Sequence, residues 1–247
     1  MFKEIHDQFT YKFTIKDDGL YSIYVVASCK SGFLGFFGNQ NLRVEIDNIK
    51  LVKTAAEWRG ARLKGLSQKI IFLVYLKSGD HLLNFIAEKG STLVEEPSIV
   101  LLNNGRISLS DRATDGNRRP WVTIVLVDLE LKYFEASVTC EKRDRDSDDI
   151  KLIIDSAVQK NRNSVWWGRN WYWQGRKLEG KTEETRFETN FGKGIHHVEF
   201  WADRMPIINW VDLDFIEPDR QVQKQEIVPT VDNPKLIGKL EDDPEAI

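Results

Sequence analysis

The chain is short of the residues that would tie it to a cofactor, a membrane or a nucleic acid. Two cysteines in 247 residues cannot make a disulfide framework. The 35 lysines and arginines against 38 acids leave a net charge of −3, with no basic excess to meet a phosphate backbone. No apolar stretch is long enough to span a bilayer; the longest, Val122 to Val127, reads as a buried strand. Met1-Phe2-Lys3-Glu4-Ile5-His6-Asp7 carries charge where the apolar core of a signal peptide belongs. The expectation is a soluble chain, cytoplasmic by default or a piece of an exported protein. No helical run reaches three turns, no glycine-rich phosphate loop opens a helix, and no Gly-x-Ser-x-Gly elbow occurs. Neither cysteine has a histidine near it in sequence. A noncatalytic protein without a cofactor is therefore expected.

What the chain does have is tryptophan in one place. Half of its eight tryptophans lie in Trp166-Trp167-Gly168-Arg169-Asn170-Trp171-Tyr172-Trp173-Gln174-Gly175. A fainter copy occurs earlier, at Trp58-Arg59-Gly60-Ala61-Arg62-Leu63-Lys64-Gly65. An offset of 115 residues carries Trp58, Gly60, Leu63, Gly65, Gly79, His81 and Phe85 onto identical residues, Trp173, Gly175, Leu178, Gly180, Gly194, His196 and Phe200. One constant offset across seven matches reads as a diverged duplication. Shared positions then serve the fold, and differing positions are where function is sought. Asp47 and Asp155 correspond at an offset of 108, so seven residues have been added before Trp173, in or beside Asn161 to Tyr172. Cys29 and Cys140 end similar strands in the two copies, so two free thiols are expected.

Phe9 to Lys16 alternates, with Phe9, Tyr11, Phe13 and Ile15 on one face, as a half-buried strand does. Further strands are predicted at Leu20 to Ser28, Leu42 to Asp47, Lys69 to Lys77, His81 to Ala87, Ser98 to Leu102 and Trp121 to Leu131. The second copy repeats the pattern at Glu135 to Cys140, Ile150 to Asp155 and the run through His196. About 31 extra residues after Phe85 are predicted to form a loop excursion or an added edge. Two tandem antiparallel β-sandwich domains follow, 1–131 and 132–217, with 218–247 as a charged, proline-bearing linker or disordered tail.

The order of these motifs resembles the galactose-binding-like jelly-roll sandwich, and within it the carbohydrate-binding modules of families 6 and 35. The residues that carry the resemblance are Gly19-Leu20-Tyr21-Ser22-Ile23-Tyr24-Val25, Val44-Glu45-Ile46-Asp47-Asn48, the Gly-x-His-x-x-x-Phe runs at Gly79 to Phe85 and Gly194 to Phe200, and Val211-Asp212-Leu213-Asp214. The resemblance implies a glycan or cell-wall polysaccharide as ligand, calcium as an occasional companion, and a hydrolase as the linked partner.

Indole rings match the apolar faces of sugars and lose little entropy on binding. The ligand-binding candidates are Trp166, Trp167, Trp171 and Tyr172, with Arg169 and Gln174 for hydroxyls. Trp173, which has a partner in Trp58, is assigned to the fold. Alternation predicts Trp171 and Trp173 on one side and Tyr172 on the other. His196 pairs with His81 and is assigned to structure; His197, Glu199 and Trp201 face the other way. Asp144, Asp146 and Asp148 have the spacing of half a calcium loop, but Asp149 stands where the loop needs glycine, and Arg143 and Arg145 oppose the charge. Phe33, Leu34, Phe36 and Phe37 form an apolar loop. The competing function is a protein–protein adaptor that buries the aromatic stretch against a partner.

Overall fold

A strand covered on both faces has no reason to alternate, and its sequence reads as one apolar run. Two such runs lie side by side in the computed structural model, which describes residues 2–32, 38–51, 54–103, 105–144, 146–161 and 170–216. Strand β7 (Ser67–Leu76) pairs in parallel with β12 (Arg119–Val127), placing Ile71 opposite Ile124. The other pairings among the described strands are antiparallel. The protein is all-β and sandwich-like, and the helices among the described residues are single turns.

The β7–β12 pair is the middle of a ten-stranded sheet. On the β7 side stand β3 (Gly19–Ser28), β9 (Thr92–Glu95) and β1 (Phe2–Ile5), with β10 (Ser98–Leu101) also on β3. On the β12 side stand β18 (Ile195–Asp203), β14 (Asp149–Ile154) and β15 (Ala157–Val158), with β16 (Trp173–Gln174) also on β14. A second sheet has the order β2 (Gln8–Ile15), β8 (Gly79–Glu88), β4 (Asn41–Ile46), β5 (Ile49–Lys50), with β6 (Glu57–Arg59) on β4. A third has the order β11 (Arg106–Arg112), β19 (Ile207–Phe215), β13 (Leu131–Thr139), β17 (Thr182–Phe191).

The parity of β7 and β12 fixes the layers. Ile70, Phe72 and Val125 belong to one core, with Val44, Leu83 and Phe85 of the second sheet. Ile71, Leu73, Val122, Ile124 and Leu126 belong to the other, with Phe134, Phe187 and Val211 of the third sheet. Neighbouring residues of a strand point to opposite faces. The two smaller sheets therefore cover opposite faces of the large one, and β7 and β12 are buried from both sides.

The excursion predicted after Phe85 supplies β9, β10 and β11. The first two extend the β3 side, and β11 becomes the edge of the third sheet. Strand β12, predicted to close the first sandwich, stands between β7 and β18. Its register on β18 sets Leu126 against His196, as β2 on β8 sets Phe13 against His81. The terminal stretch 217–247 and Phe33, Leu34, Phe36 and Phe37 lie outside the described residues.

The residues that recur at the 115 offset make the same local bonds. Gly60 opens the turn α1 (Gly60–Leu63) and Gly175 opens α2 (Gly175–Leu178). A Cβ on either would stand 2.1 Å from a backbone oxygen, that of Lys30 or Glu141, so no side chain fits. Lys64 and Glu179 then take left-handed conformations at φ 52° and 50°. The next glycines, Gly65 and Gly180, donate N–H to Cys29 O and Cys140 O, each at 2.9 Å. The turns Asp47-Asn48 and Asp155-Ser156 both have positive φ at two successive residues, which suits a tight hairpin. Asp47 Oδ1 accepts from Leu82 N–H at 2.9 Å and Asp155 Oδ1 from His197 N–H at 3.0 Å.

Two predictions arise here. Cys29 and Cys140 are free and buried in separate cores. Burial pushes the Cys29 thiol up to about 12, and burial with the nearby acids Asp149, Asp148 and Glu183 pushes Cys140 well above its usual value. Since the thiolate is the reactive form, neither should be alkylated by iodoacetamide at pH 8 until the protein unfolds. Mass spectrometry reads the label directly.

The second concerns His81. Burial lowers its pKa, but Asp47 Oδ2 at 2.7 Å, Lys77 O at 2.7 Å and the charges of Asp47 and Asp80 together raise it above 6.5. Both ring nitrogens face acceptors, which only the doubly protonated ring satisfies. A raised folded-state pKa gives stability that is complete below the unfolded value and lost as pH rises through the folded one. His81→Gln should therefore lower the urea midpoint more at pH 6 than at pH 8.5.

Candidate functional site

The tryptophan-rich insertion is tied down at its base. Tyr172 N–H donates to Ile150 O at 2.8 Å, and Asn161 Nδ2 donates to Tyr172 O at 2.7 Å. Both ends of the insertion are thus joined to each other and to β14. Trp166, Trp167 and Arg169 lie outside the described residues.

The described part divides its aromatic side chains between core and surface. Trp173 is buried, stacks on Phe200 with ring centroids 6.2 Å apart, and donates Nε1–H to Thr185 Oγ1 at 3.2 Å. Its counterpart Trp58 is equally buried and donates to Gln68 O at 2.8 Å. Tyr172 rests edge-on against Trp173 and Phe187 at the rim of the same core. Burial, and then the charge of Glu183, raise its phenol pKa. Gln174 donates its side-chain amide to Trp171 O at 2.9 Å.

Trp171 goes elsewhere, which corrects the expectation that it shares a side with Trp173. Only Trp173 and Gln174 are in a strand, so strict alternation does not extend back to Trp171. Its half-buried indole meets Lys151, whose ammonium is 5.0 Å from the ring centroid. The same ammonium is 5.1 Å from the ring of Trp201, also half-buried. Lys151 on β14 and Trp201 on β18 are direct cross-strand partners. Both point away from the core that holds their neighbours Ile150, Leu152, Phe200 and Ala202.

Cations and two held acids surround the pair. Arg118 lies 5.9 Å from the Trp171 ring and bonds Asp203 at 3.3 Å. Arg62, from α1, lies 5.7 Å from the Trp201 ring. Trp201 Nε1–H donates to Glu199 Oε2 at 3.0 Å, and Glu199 Oε1 is 3.5 Å from His197 Nε2. Burial lowers the Lys151 pKa, the positive Arg118 lowers it further, and Asp203 opposes the shift. Two half-buried indoles that share one ammonium, with polar groups beside them, are side chains that could stack a flat ring and bond its edge substituents.

The sequence named Trp171 and set Trp201 on the outward face with His197 and Glu199, but it passed over Lys151, Arg118 and Arg62. A signal for two of the residues was present. The cross-strand pair Lys151–Trp201 occupies the place of Arg43–Ile86 in the first half. Positions that differ between the halves were the place to look.

The calcium spacing is occupied by ion pairs. Asp146 Oδ2 bonds Arg204 Nε at 2.6 Å, and Asp148 Oδ1 bonds Arg143 Nε at 2.8 Å and accepts from Met205 N–H at 3.1 Å. The Arg204 hydrogen bond holds the Asp146 carboxyl below its usual range. Among the described residues no group of three His, Cys, Asp or Glu side chains is placed to hold a metal, Asp144 included. No described helix is long and apolar enough to cross a membrane. A cavity of about 350 Å³ lies between β1, β9 and the β2–β8 pair, walled by Ile5, Phe9, Tyr11, Phe85 and Val94. Its polar groups are Lys3, Glu95 and Glu96, and Lys3 already sits 3.1 Å over the Phe9 ring. The indole pair has the richer chemistry and remains the candidate.

No protein-family model matches the chain, and no curated protein sequence is similar to it. Solved structures give faint likenesses. The plant receptor-like kinase FER is 8% identical over 88% of this chain and 83% of its own, with a TM-score of 0.31. Latent PorU from Porphyromonas gingivalis is 9% identical over 85% of this chain and 19% of its own, with a TM-score of 0.30. N-glycanase F is 9% identical over 84% of this chain and 89% of its own, with a TM-score of 0.24. Scores this low carry no conclusion about function. The sandwich-like description rests on the sheets themselves.

Proposed function

We propose that the protein is a noncatalytic glycan-binding protein, built as two tandem jelly-roll sandwiches of the galactose-binding-like kind, with its site on the second. The observation that carries the reading is the pair of half-buried indoles, Trp171 and Trp201, meeting at Lys151. In this reading β12, whose register on β18 matches that of β2 on β8, is assigned to the second sandwich, so the division is proposed before Arg119 and not at the 131/132 boundary expected from the sequence. Trp166, Trp167 and Arg169, the ligand candidates that lie outside the described residues, belong to the same insertion, and Tyr172 and Gln174 stand at its described end. Affinity is expected between micromolar and millimolar, about 4 to 8 kcal/mol. Binding of that strength serves to keep a linked hydrolase near a cell-wall polysaccharide, through effective concentration.

A glycan array or polysaccharide pull-down with the wild-type chain tests the reading. Signal on at least one glycan class is expected, and its absence from every class contradicts it. The competing adaptor reading put its interface on the aromatic stretch; a different surface for docking a protein is the outer face of the third sheet. There Arg106 covers Trp210 at 4.4 Å and Arg186 covers Tyr133 at 3.4 Å. Self-association or capture of a protein that free sugars do not displace, and that Trp210→Ala abolishes, would favour docking of a protein instead.

A further inference from the structure

We infer that the cavity between β1, β9 and the β2–β8 pair binds a small organic cation, an ammonium group carrying an aromatic or alkyl body. The site belongs to the first half, so it is independent of the indole pair and of the glycan reading.

Two strand pairs in the same register pack differently. Strand β2 sets Phe9 against Phe85 and Tyr11 against Leu83. Strand β12 sets Val122 against Phe200 and Ile124 against Val198. Val122 and Ile124 are fully buried. Phe9 and Tyr11 hold the corresponding places with larger side chains, yet both are only half-buried. Rings used as core filler would be buried at least as well as the aliphatic groups they match. Here they wall a cavity of about 350 Å³ together with Ile5, Phe85 and Val94. That volume and apolar lining suit a small ligand.

The polar groups of the cavity define the ligand. Phe9 stacks on Phe85 with ring centroids 6.1 Å apart, and the Lys3 ammonium lies 3.1 Å from the Phe9 centroid. Glu95 and Glu96 bring two carboxylates to the same lining. Among the described residues neither forms an ion pair, and neither does Lys3, although Lys3 is a cross-strand partner of Val94. Two acids against one lysine leave the cavity negative. A ring face beside uncompensated carboxylates attracts a cation through the ring quadrupole and the charge together. Lys3 is itself an example: its side chain is exposed, and its ammonium rests on the ring. A ligand ammonium with its own apolar body would take that seat and also cover Tyr11 and Ile5. Lys3 is then a tethered competitor. A carboxylate ligand would gain Lys3 but oppose Glu95 and Glu96.

The test is an NMR titration of the full chain with benzyltrimethylammonium, benzyl alcohol and phenylacetate, followed at the backbone amides of Phe9, Tyr11 and Val94. The cation should bind about tenfold more tightly than the neutral alcohol, with the anion weakest. Glu95→Gln/Glu96→Gln should reduce that preference to about threefold or less and leave the alcohol unchanged. Lys3→Ala should tighten the cation about threefold, because it removes the competitor and its charge. Circular dichroism establishes that the variants fold. Equal affinity for cation and alcohol overturns the inference, as does weaker cation binding in folded Lys3→Ala. Tightest binding of phenylacetate overturns it in favour of an anion held by Lys3. Shifts of the Trp171 and Trp201 indole N–H signals without shifts at the three amides place the cation elsewhere and overturn it too, as does a cavity that responds to none of the three probes.

Discussion

Replacing Trp173 with alanine is expected to destabilise the protein by about 3 to 5 kcal/mol, and Trp58→Ala by a similar amount. Each indole is buried in one of the two cores, beside Phe200 and Phe187 in one case and Phe72 in the other. Removal leaves a large hole and strips a donor from Thr185 Oγ1 or Gln68 O. Urea denaturation followed by fluorescence and circular dichroism gives the loss. A change below about 1 kcal/mol would mean that these rings do not fill the cores as described.

The same substitution two residues earlier should act on binding instead. Trp171 and Trp201 are half-buried and lie outside both cores. The double variant Trp171→Ala/Trp201→Ala should lose about 2 kcal/mol or more of glycan affinity, roughly thirtyfold. Its stability should fall by about 1 kcal/mol, the value for partial burial. The pairing of the two outcomes matters. Trp171 and Trp173 sit in one motif, and the structure assigns one to the surface and the other to the core. A double variant that unfolds like Trp173→Ala would make both indoles structural.

Strand alternation was legible wherever one face was wet. Phe9 to Ile15 and Leu42 to Ile46 lie in strands close to their expected bounds because period two is a local property. The apolar run at Val122 was legible as a buried strand, but not its place between β7 and β18, since a run buried on both faces does not say what covers it. Strands β1, β9 and β11 were not predicted. They are short or edge strands whose pairing is set by tertiary neighbours rather than by their own pattern.

The fold-serving residues of the repeat were legible because identical local geometry demands identical residues. Gly60 and Gly175 have no room for a Cβ, and Asp47 and Asp155 hold the same backbone N–H in equivalent hairpins. The candidate site was legible only in part. Trp171 stood out by composition. Lys151, Arg118, Arg62 and Trp201 come from four separate segments, and only the folded sheet brings them to the same rings.

Glycan binding by the wild-type chain and by Trp171→Ala/Trp201→Ala, measured side by side on one polysaccharide panel, tests the central claim most directly. The expected result is a saturable signal for the wild type that the folded double variant loses. Equal signal from both proteins, or none from the wild type on any polysaccharide, would contradict it.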